Sequence, residues 1–337
     1  MPRALVLGGT GAIGRATTTR LLAAGWEVDL TGRDPTHMPA SLTTAGARFH
    51  AAAPAGVPDV LVDCACFTAE DAERLLPLAR DAGSTVMISS KAVYVDAEGR
   101  HSNTDEPPRF DGPVAEPQPT MAPSRADHTP REGYGANKVA AEQVLLDSGL
   151  PVTVLRPSKV HGAGARLARE WVFVKRALDR RPVVLLAHRG EGGDHPSGAV
   201  NIAALIEVVA ARPGTRILNA ADPDAPNGLE ISRAIARRLG HERDEILLDD
   251  DAPASLGRHP WDRRPPVVLD TAAALALGYT PVGDYATTVA DVVDWLVEGA
   301  RGGEDAALLP PPYDPAFALL LDYAAEDAYL RSHESLV

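Results

Sequence analysis

The chain has 337 residues, 45% of them hydrophobic and 23% charged. That is the balance of an ordinary globular protein with room for one large or two modest domains. A net charge of −13 with no concentrated basic stretch argues against a nucleic-acid partner and makes a small molecule the expected one. No apolar run reaches the roughly 20 residues of a membrane span, so no membrane partner is expected. MPRALVLGG reads as a first strand and not as a secretory signal, and two cysteines suit a reducing compartment, so the expected location is cytoplasmic.

The opening stretch reads as strand, tight turn, helix, strand. Ala4 to Leu7 is a short apolar run suited to a buried parallel strand. Gly8, Gly11 and Gly14 follow at three-residue spacing. A helix with Ala16, Leu21 and Leu22 on its buried side is stopped by Gly25, and Trp26 to Leu30 is a second strand. Without Cβ atoms the turn backbone can approach a pyrophosphate at a helix N-terminus, where free N–H groups and the dipole favour anions. Gly8, Thr10, Gly11, Ala12, Ile13 and Gly14 are therefore the expected dinucleotide contacts. The alternative is a tight βα turn with no ligand. At the end of the second strand, Thr31-Gly32-Arg33 has no carboxylate for ribose hydroxyls, whereas Arg33 can pair with a 2′-phosphate through its planar fork. NADP is the expected cofactor and NAD the alternative. Arg15 adds positive charge nearby.

Further strands are expected over 47–52 and 58–67, the second with Ala65 near its end, where a ribose or nicotinamide would lie. An amphipathic helix with Leu75, Leu76 and Ala79 on one face covers 69–83, and a fifth strand 84–95. A helix over 134–148 and a sixth strand over 151–158 complete the alternation of an α/β, doubly wound Rossmann parallel sheet. Ligands in such sheets sit beyond the C-terminal strand ends. Cys64 and Cys66 read as small apolar packing, and no histidine or cysteine spacing suits a metal.

Four ordered motifs carry a resemblance: Gly8-x-x-Gly11-x-x-Gly14, ISSKAVY after the fifth strand, Tyr134-x-x-x-Lys138, and LRPSKVHG. The chain resembles the extended short-chain dehydrogenase/reductase superfamily, of the NAD-dependent epimerase/dehydratase type, over most of residues 3–300; 279–296 is similar to its closing segment. The resemblance implies a general acid/base at Tyr134, with Lys138 as its helper and as a hydrogen-bond donor to the nicotinamide ribose. It places Ser90 as the residue that orients the carbonyl, with Ser89 structural and a strand-end cap the other reading of Ser90. The physics agrees: positions i and i+4 share a helix face, and a nearby ammonium favours a phenolate. Pro157 joins the cofactor set. The implied domains are 1–156 plus about 199–221 for NADP binding, 157–198 and 222–302 as a smaller C-terminal substrate-binding domain, and 303–337 as a helical extension. That extension has a proline stiffener and a helix clustering Phe317, Leu320, Leu321, Tyr323 and Ala324.

Departures from the pattern narrow the chemistry. The Asp-Glu pair with which sugar-nucleotide 4,6-dehydratases eliminate water is replaced by Lys91 and Ala92, and the asparagine with which epimerases hold a diphosphate by Lys159. The usual acidic adenine contact after the third strand has no counterpart in FHAAAPAG. Lys91, Lys159 and His161 are candidate substrate contacts, with a solvent-facing lysine the other reading of Lys159. By family analogy the loop 188–198 faces the cleft and adds His188, Arg189 and His195. The long acidic, proline-rich stretch between Tyr94 and Tyr134 is either a substrate wall or lid, or a surface loop. The expected activity is NADP(H)-dependent reduction of a ketone, or oxidation of the alcohol, on a small molecule by a Ser-Tyr-Lys mechanism. The alternatives are a sugar epimerase using transient oxidation and a non-catalytic nucleotide sensor. A homodimer is the assembly the resemblance implies.

Overall fold

Strand β1 (Arg3–Leu7) is paired on both sides, against Glu27–Thr31 and against Val60–Asp63. Its faces are covered as well, Ala4 and Val6 lying in one core and Leu5 in another, which is why its apolar residues run consecutively instead of alternating. The computed structural model describes residues 1–127, 129, 131–310 and 315–333. After β1 come α1 (Ala12–Ala23), β2 (Glu27–Thr31), α2 (Ala40–Thr44), β3 (Arg48–His50), β4 (Val60–Asp63), α3 (Ala69–Asp81), β5 (Ser84–Ile88), α4 (Arg131–Leu146) and β6 (Val152–Pro157). The chain continues through β7 (Lys159–His161), α5 (Trp171–Leu178), β8 (Val183–Leu186), β9 (Pro196–Gly198), α6 (Ala199–Ala210) and β10 (Arg216–Ala220). It ends with α7 (Gly228–Leu239), β11 (Asp244–Leu247), α8 (Ala272–Ala276), α9 (Tyr285–Ala300), α10 (Pro315–Ala318) and α11 (Tyr323–Ser332).

Seven strands form one parallel sheet in the order β10-β6-β5-β4-β1-β2-β3, the doubly wound Rossmann arrangement. Strand order reverses between β1 and β4, so a crevice opens beyond their C-terminal ends. Val6, Leu30, Val62, Leu155 and Leu205 fill the core on one face of the sheet, and Leu61, Met87, Leu145 and Val154 the other. A separate core joins α5, α7 and α9 through Trp171, Phe173, Ile235, Trp261 and Leu296. Two parallel strand pairs, β7–β9 and β8–β11, bridge its segments. Among the described residues, no helix is long and apolar enough to cross a membrane.

Some elements differ from the sequence expectation. The fifth strand ends at Ile88 instead of 95, because the Ser90 side chain accepts from Ala92 N and caps a 3-10 turn over Lys91–Val93. The expected strands over 47–52 and 58–67 shorten to β3 and β4. Helix α4 begins at Arg131, which places Tyr134 inside its first turn. The tail helix is broken into α10 and α11, and most of its proline stiffener, positions 311 and 312, lies outside the described residues. The stretch between Tyr94 and Tyr134 is held by side chains. Asp96 accepts from the backbone of Glu98, Arg100 and Arg109, and these bonds with the Arg100 guanidinium overcome burial and hold its carboxyl down at about 2. Positions 128 and 130 of that stretch lie outside the described residues.

Candidate active site

The crevice at the switch point widens into one cleft of about 890 Å³. Gly8, Gly11, Ala12, Ile13 and Gly14 line it, together with Ser90 just after β5, Tyr134 and Lys138 of α4 and Pro157 of β6. The glycine turn fits a dinucleotide on two geometric counts. A Cβ at Gly14 would lie 2.5 Å from the Gly9 Cα, so this glycine is needed for the turn to pack on its helix. A Cβ at Gly11 would meet only the Gly8 carbonyl, at 3.7 Å, and otherwise open space. Gly11 is thus bare toward the cleft at the N-terminus of α1, which no side chain caps, the environment that suits a pyrophosphate. Thr10 lies beside the Gly32 backbone, and Ala65 beside Gly8. Arg33 is exposed just past β2, while the neighbouring Asp34 carboxylate is occupied by Thr36 N at 2.8 Å. Arg15 is not aimed at a ligand: its guanidinium bonds Thr10 O, His37 O and Asp305.

Tyr134 and Lys138 share the inward face of α4. Lys138 is buried; its Nζ donates to Cys66 O at 2.6 Å and Ile88 O at 2.9 Å, and lies 5.8 Å from the Tyr134 ring centroid. Two of its three donors are therefore fixed on the ends of β4 and β5. The Phe67 ring packs 4.3 Å from the same ammonium and 6.3 Å from the Tyr134 ring. Ser89, buried, donates to Glu142, which also accepts from Arg156 Nε at 3.0 Å. Ser90 lines the cleft, and its side chain caps the 3-10 turn by accepting from Ala92 N at 3.1 Å. Cys64 and Cys66 are free thiols, pushed up by burial, Cys66 to about 12, as suits packing groups.

The cleft is also rich in basic side chains. Lys91, Lys159, Arg166, Arg169, Arg258 and Arg263 line it, and among the described residues only Asp194 and Asp262 bring carboxylates to its wall. Lys91 is buried, and its ammonium lies against Asp194, whose second oxygen is 3.4 Å from Lys159 Nζ. Burial, then Lys159, Arg263 and Arg169, push the Lys91 ammonium well below the usual lysine range. Ser102 and Asn103 bring the stretch after Tyr94 to the same wall.

Four of the expected substrate contacts stand elsewhere. His161 is buried, with Nε2 2.9 Å from Asp222; burial opposes its charge, but the Asp222 carboxylate outweighs that and raises it. His195 is buried too, with Nε2 on Asp222 O at 2.8 Å and Nδ1 accepting from Leu269 N at 3.0 Å, and burial holds it down. His188 and Arg189 sit on a kinked turn with φ of 53° and 57° and pair with Asp250 and Asp249 outside the cleft. The loop 188–198 reaches the cleft only through Asp194. The arginines the sequence reading missed come from two loops, 166–169 and 258–263, with no local motif; the clustering of arginine in an acidic chain was the one signal available.

Sheet order and glycine turn define a doubly wound Rossmann protein of the NAD(P)-binding class. Residues 2–297 match the RmlD substrate binding domain, and the chain belongs to that family. It is 27% identical over 250 residues to a probable dTDP-4,6-dihydroxy-2-methyloxan-3-one 4-ketoreductase of Streptomyces antibioticus, covering 70% of this chain and 77% of the relative. Among solved structures, a UDP-glucose 4-epimerase of Stenotrophomonas maltophila with bound NAD superposes with a TM-score of 0.66 at 19% identity, covering 90% of this chain and all of the other. A dTDP-glucose 4,6-dehydratase of Bacillus anthracis with NAD gives 0.65 at 14%, covering 92% and 100%. These two likenesses are of fold.

Proposed function

We propose that the chain is an NADPH-dependent reductase acting on a ketone of a small anionic molecule, of the nucleoside-diphosphate-sugar class. The observation that carries this reading is a single cleft that brings the bare glycine turn, Ser90, Tyr134 and Lys138 together with six basic side chains. The basic lining suits a diphosphate, because arginine and lysine pair with phosphate by charge-assisted hydrogen bonds. The name of the Streptomyces relative, a dTDP-sugar 4-ketoreductase, supports both the anion and the ketone.

In this reading Gly8, Thr10, Gly11, Ala12, Ile13 and Gly14 hold the pyrophosphate, Arg33 the 2′-phosphate, Ala65 and Pro157 flank the nicotinamide half, and Lys138 gives its remaining donor to the ribose. When bound, NADPH supplies the hydride. Tyr134 gives its hydroxyl proton to the ketone oxygen, and Ser90 donates a hydrogen bond that orients the same oxygen. Lys91 and Lys159, steadied by Asp194, face the anionic part. Residues 1–156 with about 199–221 form the cofactor half of the molecule, and 157–198 with 222–302 the substrate half. The test is stoichiometric oxidation of NADPH with a nucleoside-diphosphate 4-keto sugar. An epimerase would return the hydride and show no net oxidation, and a sensor would bind without turnover; either result would overturn the reading.

A further inference from the structure

The segment after Gly303 is tied across the molecule at both ends. Asp305 accepts from Arg15 of the glycine-turn helix at 2.5 Å and from Trp295 Nε1 at 2.7 Å. Farther on, Tyr323 donates to Asp179 at 2.8 Å, and Glu326 pairs with Arg176, both side chains 4% exposed. Arg176 also donates to the Leu320 carbonyl at 2.8 Å. A buried ion pair broken on one side is strongly destabilising, so these contacts hold the extension in one place.

That place is the cleft. Phe317 packs into the core with Trp171, Phe173 and Trp261, and Phe317 and Leu320 both line the cleft wall. Leu167, a large apolar residue left 42% exposed, lines the same wall beside Arg166 and Arg169. Apolar side chains thus share the cleft lining with the arginines.

We propose that the C-terminal extension completes the substrate cleft, with Phe317 and Leu320 forming an apolar wall that receives the uncharged, planar end of the anionic substrate. The inference rests on the reading of the basic cleft lining as a phosphate site. It makes the extension a determinant of specificity: the arginines take the phosphates, and the wall selects what is attached to them.

The test is calorimetric titration of the full chain with thymidine diphosphate and with inorganic pyrophosphate, which has charge and no apolar end. Phe317→Ala combined with Leu320→Ala weakens thymidine diphosphate about tenfold, the loss expected for apolar contacts of this size. Pyrophosphate and NADPH binding stay unchanged, as does everything in Leu319→Ala, whose side chain is 76% exposed. Leu320→Ala alone keeps the carbonyl that Arg176 holds, so the extension stays docked, and it weakens thymidine diphosphate about threefold on the same grounds. Equal weakening of both ligands, or none, in both variants overturns the wall while leaving the phosphate site standing. A wild-type chain that binds NADPH but neither ligand overturns the phosphate site and the wall together.

Discussion

The Lys91 ammonium lies against the Asp194 carboxylate with both side chains almost closed to solvent, 7% and 6% exposed. Asp194 is shared with Lys159, so one carboxylate serves two lysines in a cleft whose other acid, among the described residues, is Asp262. Removing Asp194 strips the buried Lys91 side chain of its carboxylate partner and leaves it facing the half-buried Lys159. Asp194→Ala is expected to lower stability by about 3 kcal/mol, the usual cost of stranding a buried charge. Lys91→Met leaves Asp194 with Lys159 and is expected to cost clearly less. Urea unfolding of the two variants checks this, and equal losses would show that the shared pairing contributes nothing.

Two glycines of one turn are expected to behave differently. Gly14→Ala drives a methyl into the Gly9 backbone, a contact that cannot relax through a flexible side chain. It should lower the melting temperature and abolish cofactor binding with it. Gly11→Ala meets open space and should fold with nearly unchanged stability while weakening NADPH by at least about tenfold, because the methyl stands where the pyrophosphate must approach. Thermal denaturation and fluorescence titration separate the two effects.

The glycine turn was legible in sequence because its logic is local: spacing, a strand before and a helix after. The fifth strand was over-extended because Ser90 was read as strand, when its hydroxyl turns back to Ala92 N and starts a 3-10 turn. His161 and His195 were read as candidate substrate contacts, His195 on a loop facing the cleft. Their partner, Asp222, stands 61 and 27 residues away in sequence, and a bond of that range leaves no local signature. The cationic wall was hidden for the same reason, since Arg169 and Arg263 meet only through tertiary packing.

Arg33 is exposed at the end of β2, beside an aspartate already committed to Thr36. Arg33→Ala is expected to weaken NADPH by at least about tenfold, the value of a charge-assisted bond to phosphate, and NADH by little. Dissociation constants for both nucleotides decide it; equal weakening would remove the argument for NADPH.

Burial holds the His259 imidazole down at about 4, against an ordinary 6.5. The unfolded chain therefore binds a proton more readily than the folded one between these values, and stability must rise with pH across that window. The contribution is complete above 6.5 and is lost as pH falls toward 4, amounting to about 3 kcal/mol. His259→Asn should flatten the unfolding free energy between pH 4 and 6.5 relative to wild type. A variant with the wild-type slope would place the imidazole in contact with water.

The most direct test of the whole account is turnover by Tyr134→Phe. The substitution removes one oxygen from a side chain that shares the cleft with Ser90 and the Lys138 ammonium and leaves the ring packed near Phe67. Ketone-dependent NADPH oxidation is expected to fall by about a hundred- to ten-thousand-fold, the range for a lost general acid, with NADPH affinity within about twofold of wild type. Turnover within a few-fold of wild type would show that the proton comes from another group and would contradict the mechanism.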